Sequence, residues 1–207
     1  ILTGLCGQLT LGQFAVAASG AVISYEVSRR IGDFPLALTY AGLGAGIVCV
    51  VVGLPSLRIR GLMLTVTTLS FALATPYGLL ARPGVLGTSV DPGRPVANGH
   101  ALTSGRGYYL FTLVVFTLVL LLARNIRGSG LGRLFVAVRD NEDNARAFGV
   151  HTNRVKVLAY LLSGFIAGVG GATYGHSLSR IGASTFPADA SIDVAVMAVL
   201  GGMSLLI

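Results

Sequence analysis

Charge is scarce in this chain, and its absence is patterned. Asp, Glu, Lys and Arg make up only 11% of 207 residues, whereas 53% are hydrophobic and the mean hydropathy is +0.77. Soluble domains carry about 25% charged residues, so a soluble globular domain is excluded. Five segments hold no charge at all: Ile1–Tyr25, Phe34–Leu57, Gly61–Ala81, Gly107–Ala123 and Val157–Ser179. A helix rises about 1.5 Å per residue, so roughly 20 residues cross a ~30 Å hydrocarbon core, and each segment is near or above that length. Cysteine is nearly missing too. Cys6 and Cys49 both sit inside apolar runs, where they read as small packing residues rather than a disulfide or a metal pair. His100, His151 and His176 are scattered near predicted span ends, each a surface or interface hydrogen-bonding group, which places a membrane-embedded metalloenzyme last among the function classes. No basic region, apolar core and cleavage site of a secretory signal opens the chain. It starts at Ile1 without Met and stops inside the apolar run Met203–Ile207, so the expectation is one transmembrane domain over 1–207, a fragment truncated at both ends.

What is present is an all-α, polytopic transmembrane helical bundle of five full spans, with a sixth beginning at about Ile192. The 29 glycines suit helices packed closely in lipid. The net charge of +7 does not point to nucleic acid, because the basic residues lie between spans rather than in one tract. Nine of them (Arg58, Arg60, Arg124, Arg127, Arg133, Arg139, Arg146, Arg154, Lys156) fall on one side and six (Arg29, Arg30, Arg82, Arg94, Arg106, Arg180) on the other. The positive-inside rule then puts the 124–156 loop in the cytoplasm and the Pro/Gly-rich 82–106 loop outside, where no regular helix is expected.

Two apolar segments carry candidate path residues. In the third span Thr65, Thr68, Ala72 and Thr75 fall at i, i+3, i+7 and i+10 on one face, and Pro76 is expected to kink or end the helix. This face either lines a substrate route or satisfies its hydroxyls on its own carbonyls and packs on a neighbour; packing is the favoured reading. In the first segment, Gln8 and Gln13 sit among Gly4, Gly7 and Gly12. A glutamine amide in lipid must face protein or water, which fits a locally broken helix beside the route and equally a glycine-lined helix crossing. Gln8, Thr65 and Thr68 are the candidate path residues.

The stretch from Arg124 to Lys156 is the polar exception. Leu131, Leu134, Phe135 and Val138 fall at i, i+3, i+4 and i+7, one apolar stripe. Then comes a two-turn helix with Asp140 as its expected N-cap, Glu142 and Asp143 in its first turn, Ala145 and Phe148 as an apolar side, and Gly149 at the left-handed stop. Such a helix is too short to stand alone. From Asp140 to Gly149 it carries three acids and one arginine, so a protein socket fits it better than an anionic lipid surface.

These residues resemble a known family. Gly132-Arg133, Ala137, Arg139-Asp-Asn-Glu142, Ala145, Gly149, Arg154 and Lys156 are similar to the Glu-Ala-Ala…Gly coupling region of ABC-importer permeases. Gly7-Gln-Leu-Thr-Leu-Gly-Gln13, Arg106-Gly-Tyr-Tyr109, Ser163-Gly-Phe-Ile-Ala-Gly-Val-Gly-Gly-Ala172 and Val199-Leu-Gly-Gly202 narrow the likeness to permeases of high-affinity branched-chain amino acid importers, the M-type member of the pair, with permeases for urea, short amides and other amino acids also similar. The resemblance implies that Glu142, Ala145 and Gly149 lie in a helix entering a groove of a cytoplasmic ATPase, with Arg139 beside it. The chain departs from the pattern in having Asn144-Ala145 in place of two alanines, followed by Arg146, and Gln13 where relatives often have His. The partners implied are a second permease, two ATPases that bind ATP and Mg, and an external solute-binding protein delivering a small molecule. The place implied is the bacterial inner membrane.

The chain's own residues agree on one negative point. No Gly-x-x-x-x-Gly-Lys-Ser/Thr occurs, and Lys156, the sole lysine, is followed by Val157; the chain itself is expected to bind no cofactor and to be no enzyme. Gly168–Gly175 lies in an apolar run and reads as helix packing, not a nucleotide loop. A secondary transporter would place acids in its spans, and the five full spans have none. A channel, built from symmetric copies, stays open as an alternative.

Overall fold

The computed structural model describes residues 2–200 except 9, 58–61, 81–89, 94, 98–99, 102–103, 179 and 188. It is helical almost throughout. In chain order come α1 (Leu2–Cys6), α2 (Gln13–Ile31), α3 (Phe34–Gly53), α4 (Leu62–Ala74), α5 (Gly105–Gly128), α6 (Gly130–Asp140), α7 (Glu142–Ala147), α8 (Thr152–Ser177) and α9 (Asp189–Leu200). Two short strands, β1 (Val96–Ala97) and β2 (His100–Ala101), pair antiparallel, and Val90 exchanges two 2.8 Å backbone hydrogen bonds with Ile181.

α8 is the axis, with α2 and α3 wrapped on it. Small residues let the backbones approach. A methyl group added at Gly171 would run into the Ala17 carbonyl, and one added at Gly168 into the backbone of Ala41. Gly164 sits on Ala45 and Gly46 in the same way. The apolar Gly168–Gly175 stretch is therefore a packing seam. α3 runs antiparallel to α8, so Tyr160 lies on Gly53 at one end and His176 stacks 4.6 Å from Phe34 at the other. The end holding Phe34 also holds the start of α5, whose Tyr108 hydroxyl donates to the Thr173 carbonyl. α1, α6 and α7 gather at the opposite end, hereafter the α7 end. There Leu2, Cys6, Ile126, Phe135, Val138, Ala145 and Val155 share one buried cluster.

Among the described residues three helices are long and apolar enough to cross a membrane: α3, α5 and α8. Of the expected five full spans and a sixth, three are met by helices of this kind among the described residues. The reasons are local. The first apolar run is not one helix: α1 stops at Cys6 and α2 starts at Gln13, which carries the helix on to Glu26, Arg29 and Arg30. The third run holds 13 α-helical residues, after which Pro76 falls in a wide π-type turn, Thr75–Leu80. The last helix opens at Asp189 rather than Ile192. Arg58, Arg60, Arg82, Arg94 and most of the 82–106 segment, like Gly201 and Gly202, lie outside the described residues.

Candidate functional site

The short helix α7 has a defined start and stop. Its N-cap is Asn141, not Asp140: the Asn141 side-chain oxygen accepts from the backbone N–H groups of Asp143 at 3.1 Å and Asn144 at 2.9 Å. Asp140 is the last residue of α6, and its carboxylate is taken by the Arg139 guanidinium at 2.9 Å. The stop is a Schellman turn, with Gly149 N–H on the Arg146 carbonyl, Val150 N–H on the Ala145 carbonyl, and Gly149 at φ +80°. Phe148 and Ala145 do not form one side. Ala145 is buried in the α1–α6–α8 cluster, whereas Phe148 is 88% exposed.

A buried ion cluster roots α7 in α8. The Lys156 ammonium, 2% exposed, donates to both Glu142 carboxylate oxygens at 2.9 Å. The Arg146 guanidinium reaches the same carboxylate at 2.8 Å and the Thr152 hydroxyl at 3.0 Å. Glu142 and Arg146 are four apart on α7, and Thr152 and Lys156 four apart on α8, so one face of each helix supplies both partners. Two opposed charges this dry stabilise the geometry only as a pair, since either alone would be a desolvated ion.

The break between α1 and α2 lies beside this cluster. Gly7 takes φ +65°, a left-handed conformation that ends α1, and the Gln8 N–H returns to the Leu2 carbonyl at 3.1 Å. Side chains from three other helices hold the break and its flank. Thr68 of α4 accepts from the Leu11 N–H at 3.1 Å and donates to the Thr65 carbonyl at 3.1 Å. Tyr160 of α8 donates to the Gln8 amide oxygen at 3.3 Å. Arg139 of α6 donates to the Gly4 carbonyl at 2.9 Å and lays its stem across Gly7. Behind the break is a gap of about 10 Å³ between Thr10, Gly12, Gln13, Val16, Cys49, Val52, Thr68 and Tyr160, room for roughly one water.

The candidate residues thus fall into two neighbouring groups. Gln8 and Thr68 lie at the break, with Thr65 one turn along α4 from Thr68; Glu142 and Ala145 belong to α7 and Gly149 to its stop; Arg139 lies beside both groups. Of the two readings of the first segment, the broken helix is the one present. The hydroxyl face of α4 mostly bonds to itself, as the favoured reading had it, for Thr75 donates to the Phe71 carbonyl at 2.7 Å. Sequence reasoning missed Lys156 as a buried partner, having counted it as a loop cation, and missed Tyr160 altogether. The available signal was that the sole lysine and the tyrosine stand four apart at the start of an apolar helix. No group of three or more potential metal ligands occurs among the described residues.

Comparison with known proteins gives a consistent answer. The family described as branched-chain amino acid transport system / permease component matches residues 1–207. The high-affinity branched-chain amino acid transport system permease protein LivM of Escherichia coli (strain K12) is 26% identical over 98% of this chain and 54% of its own length. The fructose import permease protein FruF of Bifidobacterium longum is 26% identical over 96% of this chain and 56% of its own. The autoinducer 2 import system permease protein LsrC of Yersinia enterocolitica is 26% identical over 99% and 52%. The chain spans about half the length of these relatives. No solved structure matches it.

Proposed function

This chain belongs to the branched-chain amino acid transport system / permease component family, and from that premise we propose that it is the membrane-spanning permease subunit of an ATP-driven importer. It moves branched-chain or related amino acids across the bacterial cytoplasmic membrane. A second permease subunit, two cytoplasmic ATPases that bind ATP and Mg, and an extracytoplasmic binding protein complete the machine. On this reading α2 and the 62–80 stretch are spans as well, α9 begins another, and the α7 end faces the cytoplasm, with α7 as the lever.

The observation that carries the proposal is the construction of α7. It is a six-residue helix, anchored from within by Glu142 and Ala145, that offers Asn144, Phe148 and Gly149 outward. A helix that short has little stability of its own, so its burial on one side and bare aromatic on the other suit a part gripped by a second protein. The unit performs no covalent chemistry. It transmits a two-state motion of the ATPases to a path that opens alternately to each side.

The test is the reconstituted transporter carrying Phe148→Ala, Gly149→Arg or Glu142→Lys. Transport and ligand-stimulated ATP hydrolysis are expected to fall by about tenfold or more, with Phe148→Ala still inserted and folded, because an interface anchor contributes about 2 kcal/mol or more. Undiminished transport in all three variants would discard the assignment of α7. The ligand class is settled separately, by titrating the partner binding protein with leucine, isoleucine and valine against fructose.

A further inference from the structure

We infer that the unwound segment between α1 and α2 is the part of the permeation path that α7 moves, and that Arg139, Lys156 and Tyr160 are the positioning residues linking the two. The inference deepens the permease reading and rests on it.

Two independent connections run from the lever to the break. The first is a column on α8: Glu142 of α7 is clamped by Lys156, and Tyr160, four residues further along the same helix, holds the Gln8 amide oxygen. The second passes through α6: Arg139, two residues before the Asn141 cap of α7, donates to the Gly4 carbonyl, an acceptor left over at the end of α1, and rests on Gly7. Displacing α7 therefore pulls on both flanks of the unwound backbone.

That backbone is suited to a second arrangement. Helix interiors bond to themselves, but here the Leu11 N–H depends on a hydroxyl of Thr68, and the Gln8 side chain is tied to a hydroxyl of Tyr160. Hydroxyls rotate and exchange partners, and Gln13 and Thr10, which share a 2.9 Å hydrogen bond, line the same gap as alternatives. The gap itself holds about one water and is too small for an amino acid, so the path is closed at this point. Its floor includes Cys49, a buried native thiol that reports on opening.

The experiment uses the complete transporter in membrane vesicles with Cys6→Ala in this chain, and N-ethylmaleimide as probe. Labelling of the Cys49 peptide is followed by mass spectrometry, with and without MgATP plus vanadate. Nucleotide is expected to change the labelling rate by about tenfold, within the usual range for coupled sites. Arg139→Ala and Tyr160→Phe should shrink that response below about twofold while ATP hydrolysis continues, and Arg139→Lys, which retains a donor for Gly4, should restore part of it. Tyr160→Phe removes a single oxygen and decides the matter if Arg139→Ala fails to assemble. A nucleotide response of wild-type size in Tyr160→Phe and in any assembled Arg139→Ala overturns the inference. So does a wild-type complex that holds its ATPases and hydrolyses ATP but shows no response at Cys49, an outcome that leaves the permease reading standing. If no ATPase accompanies the chain at all, it is the permease reading that fails.

Discussion

The two ends of α8 are held by different physics. From its middle toward Ser177, Gly164, Gly168 and Gly171 lie against the backbones of α2 and α3, with only the Cβ atoms of Cys49 and Ala45 approaching as closely. Along its first turns Thr152, Lys156 and Tyr160 of α8 bond to the side chains of Arg146, Glu142 and Gln8, through hydrogen bonds that have defined partners and hence defined alternatives. Close-packed backbones transmit displacement as a rigid body. A polar cluster can exchange partners, and so can serve as a pivot. On the proposed reading, the seam holds the helices together and the cluster lets α7 move against them.

The largest effect expected on either side of that contrast is at the ion cluster. Lys156→Met leaves the Glu142 carboxylate, only 13% exposed, facing an apolar tail. Removing one partner of a buried pair costs about 3–5 kcal/mol, whereas removing both is often near neutral. Lys156→Met should therefore lower the melting temperature of the purified complex sharply, and Lys156→Met with Glu142→Gln should recover most of the loss. Arg146, which also reaches Glu142, moderates the single change without cancelling it. Equal melting temperatures for the single and double variants would mean that the pair is not dry, and the contrast would lose its polar half.

The seam is tested by a smaller change. Gly171→Ala adds one methyl where the Ala17 carbonyl already lies. Overpacking of this kind costs about 1–3 kcal/mol. Its signature should be reduced thermal stability with the ratio of transport to ATP hydrolysis unchanged, because a seam defect loosens the bundle without touching the lever. A variant as stable as wild type would show that α2 and α8 can part, and that the seam is no rigid body.

The same contrast sets how much could be read before the structure. The 3.6-residue periodicity of Leu131, Leu134, Phe135 and Val138 and the glycine stop at Gly149 are local signals, and both elements form where those signals place them, although Leu131 is exposed and only the other three join the buried cluster. The apolar runs at Phe34, Gly107 and Val157 are long helices because nothing interrupts their hydrophobicity. What escaped depends on contacts distant in sequence. The helix break at Gly7–Gly12 is fixed by Thr68, Arg139 and Tyr160, between 57 and 152 positions away. The burial of Lys156 follows from Glu142 folding back over a turn whose geometry no spacing rule supplies. Phe148 and Ala145, three apart, seemed to share a face, but the helix ends at Ala147, and Phe148 is already turning outward at the cap.

The smallest effect sharpens the boundary of the lever itself. Asn141 satisfies two N–H groups at the start of α7, and Asn141→Ala removes both hydrogen bonds without touching the ion cluster or the apolar packing of Ala145. An N-cap substitution costs about 1 kcal/mol, close to a fivefold change in a local equilibrium. In a long helix that amount would spread along the element; in six residues held at one root it is concentrated in the first turn. Amide hydrogen exchange at Asp143 and Asn144 should accelerate by about fivefold, while exchange in α8 stays as it was, because Lys156 still grips Glu142 from the other helix. Acceleration that spread into α8 would mean that lever and bundle open together as one unit. Confined to α7, it would place the pivot between Asn141 and Lys156, where partner exchange can begin without unpacking a span.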